Sequence, residues 1–168
     1  MLNNLGYLPY NREAALNYAT QWALLRNPRF YDYSQLGGDC TNFASQVLLA
    51  GGASMNYHPT LGWYYIDPNR KSPSWTGVDF LYNFLISNRT KGPFAVETIP
   101  ANVGIGDLIQ LSYQAGRFNH TLVVTKFEPI GIEGIYVSAH SIDRYNANLA
   151  QTYNWKQIRF LHIIGNFQ

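Results

Sequence analysis

Gly37-Gly38-Asp39-Cys40-Thr41-Asn42-Phe43-Ala44-Ser45-Gln46 is the most informative stretch of the sequence. Its two glycines form a loop, Asp39 is a favoured helix N-cap, and Phe43, Ala44, Val47 and Leu48 recur at helical spacing until Gly51-Gly52. The stretch predicts a helix from about Asp39-Cys40-Thr41 to Ala50, with a thiol in its first turn. Unpaired backbone N–H groups and the positive end of the helix dipole favour a thiolate there. The same N–H groups suit the oxyanion that forms when sulfur attacks a carbonyl. The glycines let a substrate backbone come close. The plain alternative for a lone cysteine is a buried, inert one.

Upstream, residues 11–26 read as a helix. Asn11 caps it, Glu13 sits near its positive end, and Ala15, Tyr18, Ala19, Trp22 and Leu25 recur every three or four residues. Asn27-Pro28 stops it. Arg29 to Gly38 reads as a loop, and residues 53–73 as a long ordered one. A third helix is expected at 77–88, with Phe80, Leu81, Phe84 and Leu85 on one side. Beyond Gly92 the pattern turns to strands, at Asp107 to Ser112, Asn119 to Phe127, Gly134 to His140 and Gln157 to Ile164. Helices first and strands afterwards imply an α+β fold, an antiparallel sheet packed on N-terminal helices. No repeat or linker divides the chain, so residues 1–168 read as a single domain.

Composition narrows the function. Hydrophobic residues make up 46% of 168, enough for a real core, whereas charged residues reach only 13%. With a net charge of +2 and no Lys/Arg run longer than two, a nucleic-acid footprint is not expected. No apolar run is long enough for a membrane span. Met1 to Tyr10 lacks the basic start and apolar stretch of a signal peptide. One cysteine permits neither an internal disulfide nor a multi-cysteine zinc site, and no cofactor is called for.

A thiol nucleophile needs a base, and His120, at the start of a strand, is the best candidate. The base needs an orienting group. Period two puts Tyr136, Ser138 and His140 on one face, and a neighbouring antiparallel strand would bring His140 beside His120. Asp143 competes for that role. His162 reads as structural, and no HxxxH or HxxE spacing supports a metal site. The aromatic run Tyr57, Trp63, Tyr64, Tyr65 and Trp75 suggests a substrate-binding wall, with Trp63, Tyr64 and Trp75 as its candidates. The alternative, expected for half of these rings, is that they complete the core.

Three stretches resemble the bacterial "putative amidase domain" family. They are Tyr10-Asn11-Arg12-Glu13-Ala14-Ala15 with Tyr18-Ala19 and Trp22-Ala23, Asn27-Pro28 with the Gly37–Gln46 block, and Trp63-Tyr64-Tyr65 with Ser74-Trp75. Gly106-Asp107-Leu108-Ile109 and the His120 strand complete the match, over roughly residues 7–165. The family is similar to papain-like NlpC-type and CHAP amidases and peptidases. The resemblance implies a Cys nucleophile on a helix N-terminus against a small antiparallel sheet, a His at a strand start, and a third polar residue on the next strand. Cys40 and His120 match the first two. His140, Asp143 or Ser138 fills the third, and Gln35 or Asp39 is the candidate oxyanion helper. The implied function is a cysteine amidase or peptidase acting through a thioester on peptide or peptidoglycan-type material, extracytoplasmic or at the cell envelope. The rival readings are an acyltransferase with the same Cys–His chemistry and a non-catalytic cell-wall or peptide-binding module.

Overall fold

The structure, a computed structural model, describes residues 6–168. The reading of Met1 to Tyr10 lies partly outside them. The chain is α+β. In order it runs β1 (Tyr7–Pro9), α1 (Arg12–Trp22), α2 (Cys40–Ala50), β2 (Tyr65–Asp67), β3 (Arg70–Lys71), α3 (Pro73–Thr76), α4 (Val78–Ser87), β4 (Gly92–Thr98), β5 (Leu108–Ser112), β6 (His120–Phe127), β7 (Ile135–Ala139), β8 (Arg144–Asn148), α5 (Leu149–Thr152) and β9 (Gln157–Phe167). Seven strands form one antiparallel sheet in the order β1-β9-β5-β6-β7-β8, with β4 on the far flank of β9. The other two form a small hairpin, β2–β3, inside the segment expected to be a loop.

The sheet is covered on both faces. Leu108, Val123, Leu161 and Ile163 point to the side of α1, α2 and α4. Ile109, Leu111, Leu122, Val124 and Val137 point to the other, against Leu149, Tyr153 and Trp155. Strand alternation produces this division, since neighbouring residues face opposite ways. On α1, Asn11 accepts from the Ala14 N–H at 3.0 Å, and Ala15 and Ala19, with Ala23 just beyond the helix, are fully buried. Those small side chains let α1 lie close on α2.

Helix α2 is central. Its residues Cys40 to Leu48 are all buried, so each polar one needs a partner. Thr41 Oγ1 lies 2.9 Å from Thr121 Oγ1. Asn42 donates to Tyr31 O and to Asp39 and accepts from Trp75 Nε1 at 2.8 Å. Ser45 donates to Trp75 O and accepts from Trp63 Nε1. Gln46 accepts from the Tyr18 hydroxyl at 2.7 Å. The polar residues of the Thr41–Gln46 block are thus satisfied inside the fold.

Asp107 is a second knot. Fully buried, it accepts from Arg12 at 2.8 Å, from the Gly104 and Ile163 N–H groups, and lies 2.7 Å from His162 Nδ1. It joins α1, the entry to β5, and β9. His162 is structural, as expected.

Two expectations need correction. Helix α1 ends at Trp22, earlier than residue 26, and Leu24 and Leu25 are exposed. Phe80 lies 61% exposed while Leu81, Phe84 and Leu85 are buried. Three and four residues on from Leu81 remain on the packed face; Phe80, one step back, turns out of it.

Candidate active site

Cys40 and His120 line the same cleft, of about 570 Å³, across the ends of β5 and β6. Loops close its sides: Gly37 and Gly38 before α2, Tyr113 after β5, Ser141 and Ile142 after β7, and Thr152 to Asn154 before β9. Gly37 and Gly38 have φ of 91° and 111°, the left-handed region where only glycine is unstrained.

Asp39 makes no capping bond to α2. Its carboxylate accepts from the Tyr33 N–H at 2.8 Å and from Asn42, and its other oxygen lies 2.6 Å from His140 Nδ1. The first turn of α2 is therefore left without its expected side-chain cap, beside the thiol.

The electrostatics differ from expectation at the sulfur. Burial pushes the Cys40 thiol up, and the Asp39 carboxylate adds to that; backbone hydrogen bonds from Thr121 and Thr41 and the Thr41 hydroxyl, 3.8 Å from Sγ, work the other way. The helix-end effect is outweighed because only 8% of Cys40 is exposed. Burial also pushes His120 down to about 4. Near neutral pH the resting pair is thus a neutral thiol and a neutral imidazole. No hydrogen bond joins Sγ to the His120 ring in this structure, among the described residues. The ring rests between Tyr113 and Tyr153, centroids 6.4 and 5.7 Å away.

Beneath the thiol runs a polar chain. Thr41 meets Thr121, Gln110 Nε2 donates to Thr121 Oγ1 at 3.3 Å, and Arg159 donates to Gln110 Oε1 and to Asp79. It fixes the start of β6 against α2. Among the described residues, no group of three or more His, Cys, Asp or Glu is arranged to hold a metal ion, and no helix is long and apolar enough to cross a membrane.

Residues 9–164 match the model of the "putative amidase domain" family. The chain belongs to that family. It is 38% identical over 118 residues to the uncharacterized protein YhbB of Bacillus subtilis (strain 168), covering 68% of this chain and 37% of that protein. It is 28% identical over 148 residues to the uncharacterized protein YjcM of the same organism, covering 82% and 32%. The chain thus spans about a third of the length of these relatives. No solved structure matches it.

The other residues singled out in this amidase-family chain lie elsewhere. His140 is buried against Phe43, ring centroids 4.3 Å apart, with Nδ1 on Asp39 and Nε2 2.9 Å from Trp22 O and 3.1 Å from Arg26. Thr121 faces α2, so His120, one residue earlier, starts on the opposite face from His140. Asp143 is held by Arg26 at 2.8 and 3.0 Å. Ser138 is engaged with Thr125 and Asn146. Among the described residues, none of the three hydrogen-bonds the His120 ring. Gln35 is exposed on the turn before the glycines and does not line the cleft; Asp39 is spent on His140. Trp63 and Trp75 are fully buried under α2 and belong to the core. Tyr64 packs on Tyr57 and donates to Pro59 O. The aromatic wall of the cleft is instead Tyr113 and Tyr153. Sequence reasoning did not find these residues: Tyr113 and Asn119 flank the loop that precedes His120, the one signal that could have marked them, and Tyr153 has no local signal.

Proposed function

We propose that this chain hydrolyses amide bonds with Cys40 as nucleophile and His120 as base. The observation that carries the reading is that both side chains line one open cleft, with Cys40 in the first turn of a helix that lacks a side-chain cap. The family to which the chain belongs supports an amide as substrate. A helix bearing the thiol, packed on an antiparallel sheet whose strand begins with the histidine, also supports a likeness to papain-like NlpC and CHAP enzymes. By that likeness the substrate is peptide material of the bacterial cell wall, met at the envelope.

The chemistry starts from the neutral pair. As the sulfur attacks the amide carbon, the thiol proton passes to the His120 ring, which turns from its tyrosine shelf to meet it. The S–C bond forms and the Cys40 N–H faces the oxyanion. His120 returns the proton to the leaving amine, the C–N bond breaks, and a thioester remains. Water, deprotonated by His120, cleaves it to the acid and the free thiol.

The test is digestion of purified cell-wall peptides, with products and the protein read by mass spectrometry. The expected result is new amine and carboxylate ends, an acyl adduct on Cys40, and loss of both in Cys40→Ala. Equal cleavage by Cys40→Ala overturns the reading. Products in which an added amine replaces water assign the acyltransferase instead.

A further inference from the structure

Resting on the nucleophile reading, we propose that the cleft takes amide substrates bearing a carboxylate close to the scissile bond, held by Arg144 and Tyr153. Two side-chain donors of the cleft wall are largely unspent among the described residues. Arg144 lies exposed at the start of β8, and its side chain makes one hydrogen bond among the described residues, a long one to Asp143 O at 3.4 Å. The Asp143 carboxylate next to it in the chain is taken by Arg26, both oxygens engaged. No carboxylate lines the cleft, and Arg144 is its one permanently charged side chain among the described residues.

The second donor is the Tyr153 hydroxyl. Its oxygen is buried and has no hydrogen-bond partner among the described residues, a state that calls for an acceptor. The ring is held in place. It packs on the apolar cluster under β5–β7, lies 5.7 Å from the His120 ring, and the Tyr153 N–H closes α5 on Leu149 O at 3.1 Å. Burial pushes this phenol up to about 12, partly offset by the nearby Arg144 charge, so it remains a neutral donor.

A guanidinium and a hydroxyl with unspent protons complement a group with two acceptor oxygens at fixed spacing. An ammonium would find no counter-charge in this wall. Tyr153 and Arg144 line the same cleft as Cys40, and the Tyr153 ring lies 5.7 Å from that of His120. The carboxylate therefore falls within about one residue of the bond attacked, as a C-terminal carboxylate or an acidic side chain beside it.

Two small probes test this. Iodoacetate and iodoacetamide alkylate a thiol by the same displacement, in which the S–C bond forms, iodide leaves and the thiol proton is lost to solvent. They differ in the carboxylate. At about pH 9, where a raised thiol reacts, their rate ratio at Cys40 is compared with that at glutathione. The expected ratio favours iodoacetate about tenfold more in the protein, as one charge-assisted contact warrants. Arg144→Gln returns it to the glutathione value and Tyr153→Phe takes it part of the way. An identical ratio in the native protein and Arg144→Gln overturns the proposal.

A second measurement does not depend on the thiol. Cys40→Ala is titrated with acetyl-alanyl-alanine, with its C-terminal amide, and with acetyl-glutamyl-alanine amide, following the His120 imidazole by NMR. Either acid should shift the ring while the neutral amide does not, and the acid that binds identifies the source of the carboxylate. Equal binding of the neutral amide, or binding of neither acid, sinks the proposal. Where Cys40 resists both alkylators yet an acid still binds, the nucleophile reading fails and the anion site stands.

Discussion

The Nδ1 of His140 sits 2.6 Å from Oδ2 of Asp39, the residue joined directly to Cys40 in the chain. Both side chains are almost wholly buried. The pair clamps the loop before α2 to the end of β7, assisted by the Asp39 N–H donating to Ser141 Oγ at 2.6 Å. Through this clamp His140 reaches the residue next to Cys40, whereas no hydrogen bond joins it to His120 among the described residues.

Replacing His140 by Ala leaves a buried carboxylate short of a partner, which costs about 3 kcal/mol. The urea unfolding midpoint should fall accordingly, and turnover should drop moderately while Cys40→Ala abolishes it. Turnover reduced to the Cys40→Ala level with unchanged stability would instead put His140 in the chemistry.

The thiol should titrate late. Because burial raises Cys40 and lowers His120, iodoacetamide alkylation should climb only above about pH 8.5, the ordinary thiol range. A thiolate–imidazolium pair would react at pH 5–6, in a range where ordinary thiols are inert. A plateau of reactivity there, lost in His120→Ala, contradicts the neutral resting pair.

Acid should weaken the fold partly through His120. Its pKa falls from 6.5 to about 4 on folding, so the unfolded chain binds the proton first. The histidine's contribution to stability is full above about pH 6.5 and is lost progressively as pH drops toward 4. His120→Gln should show a shallower fall of the unfolding midpoint across that window. Parallel curves for the two proteins refute the assignment.

Trp75 and Tyr64 should respond oppositely to truncation. Trp75→Ala opens a cavity beside α2 and orphans Asn42 Oδ1, costing about 3–5 kcal/mol. Tyr64→Ala should cost much less, since its hydroxyl bond to Pro59 O is long and exposed. Thermal melts of the two variants give the comparison; a mild effect at Trp75 would return it to the candidates for a substrate-binding wall.

Much of this was legible in the sequence. The caps and spacing around α1, α2 and α4 are local signals, and they place Cys40 on a helix end. The apolar and β-branched runs of β5 and β6, bounded by turn glycines, place His120 at a strand start. Sidedness was harder to read. Trp63, Trp75 and Phe80 carry no mark of which way they face; packing against Ser45 and Asn42 buries the first two, and the third stays mostly exposed. Arg144-Tyr145-Asn146-Ala147-Asn148 lacks alternation and owes its strand to pairing with β7. The direction of the Cys40 shift was hidden for a related reason. A helix end favours a thiolate, but the burial that outweighs it arises from tertiary packing around the start of α2, which no local pattern reveals.

Strand β9 has a consequence for how the domain is mounted. Its first residue, Gln157, pairs with Ser112 beside the cleft, and its last, Phe167, pairs with Tyr7 of β1. Eleven residues of strand separate those points by roughly 30 Å. Tyr7 and Phe167 therefore lie side by side, at the pole remote from the thiol. Modules or tethers spliced in at those two points would emerge together there, leaving the cleft-bearing pole turned outward and open.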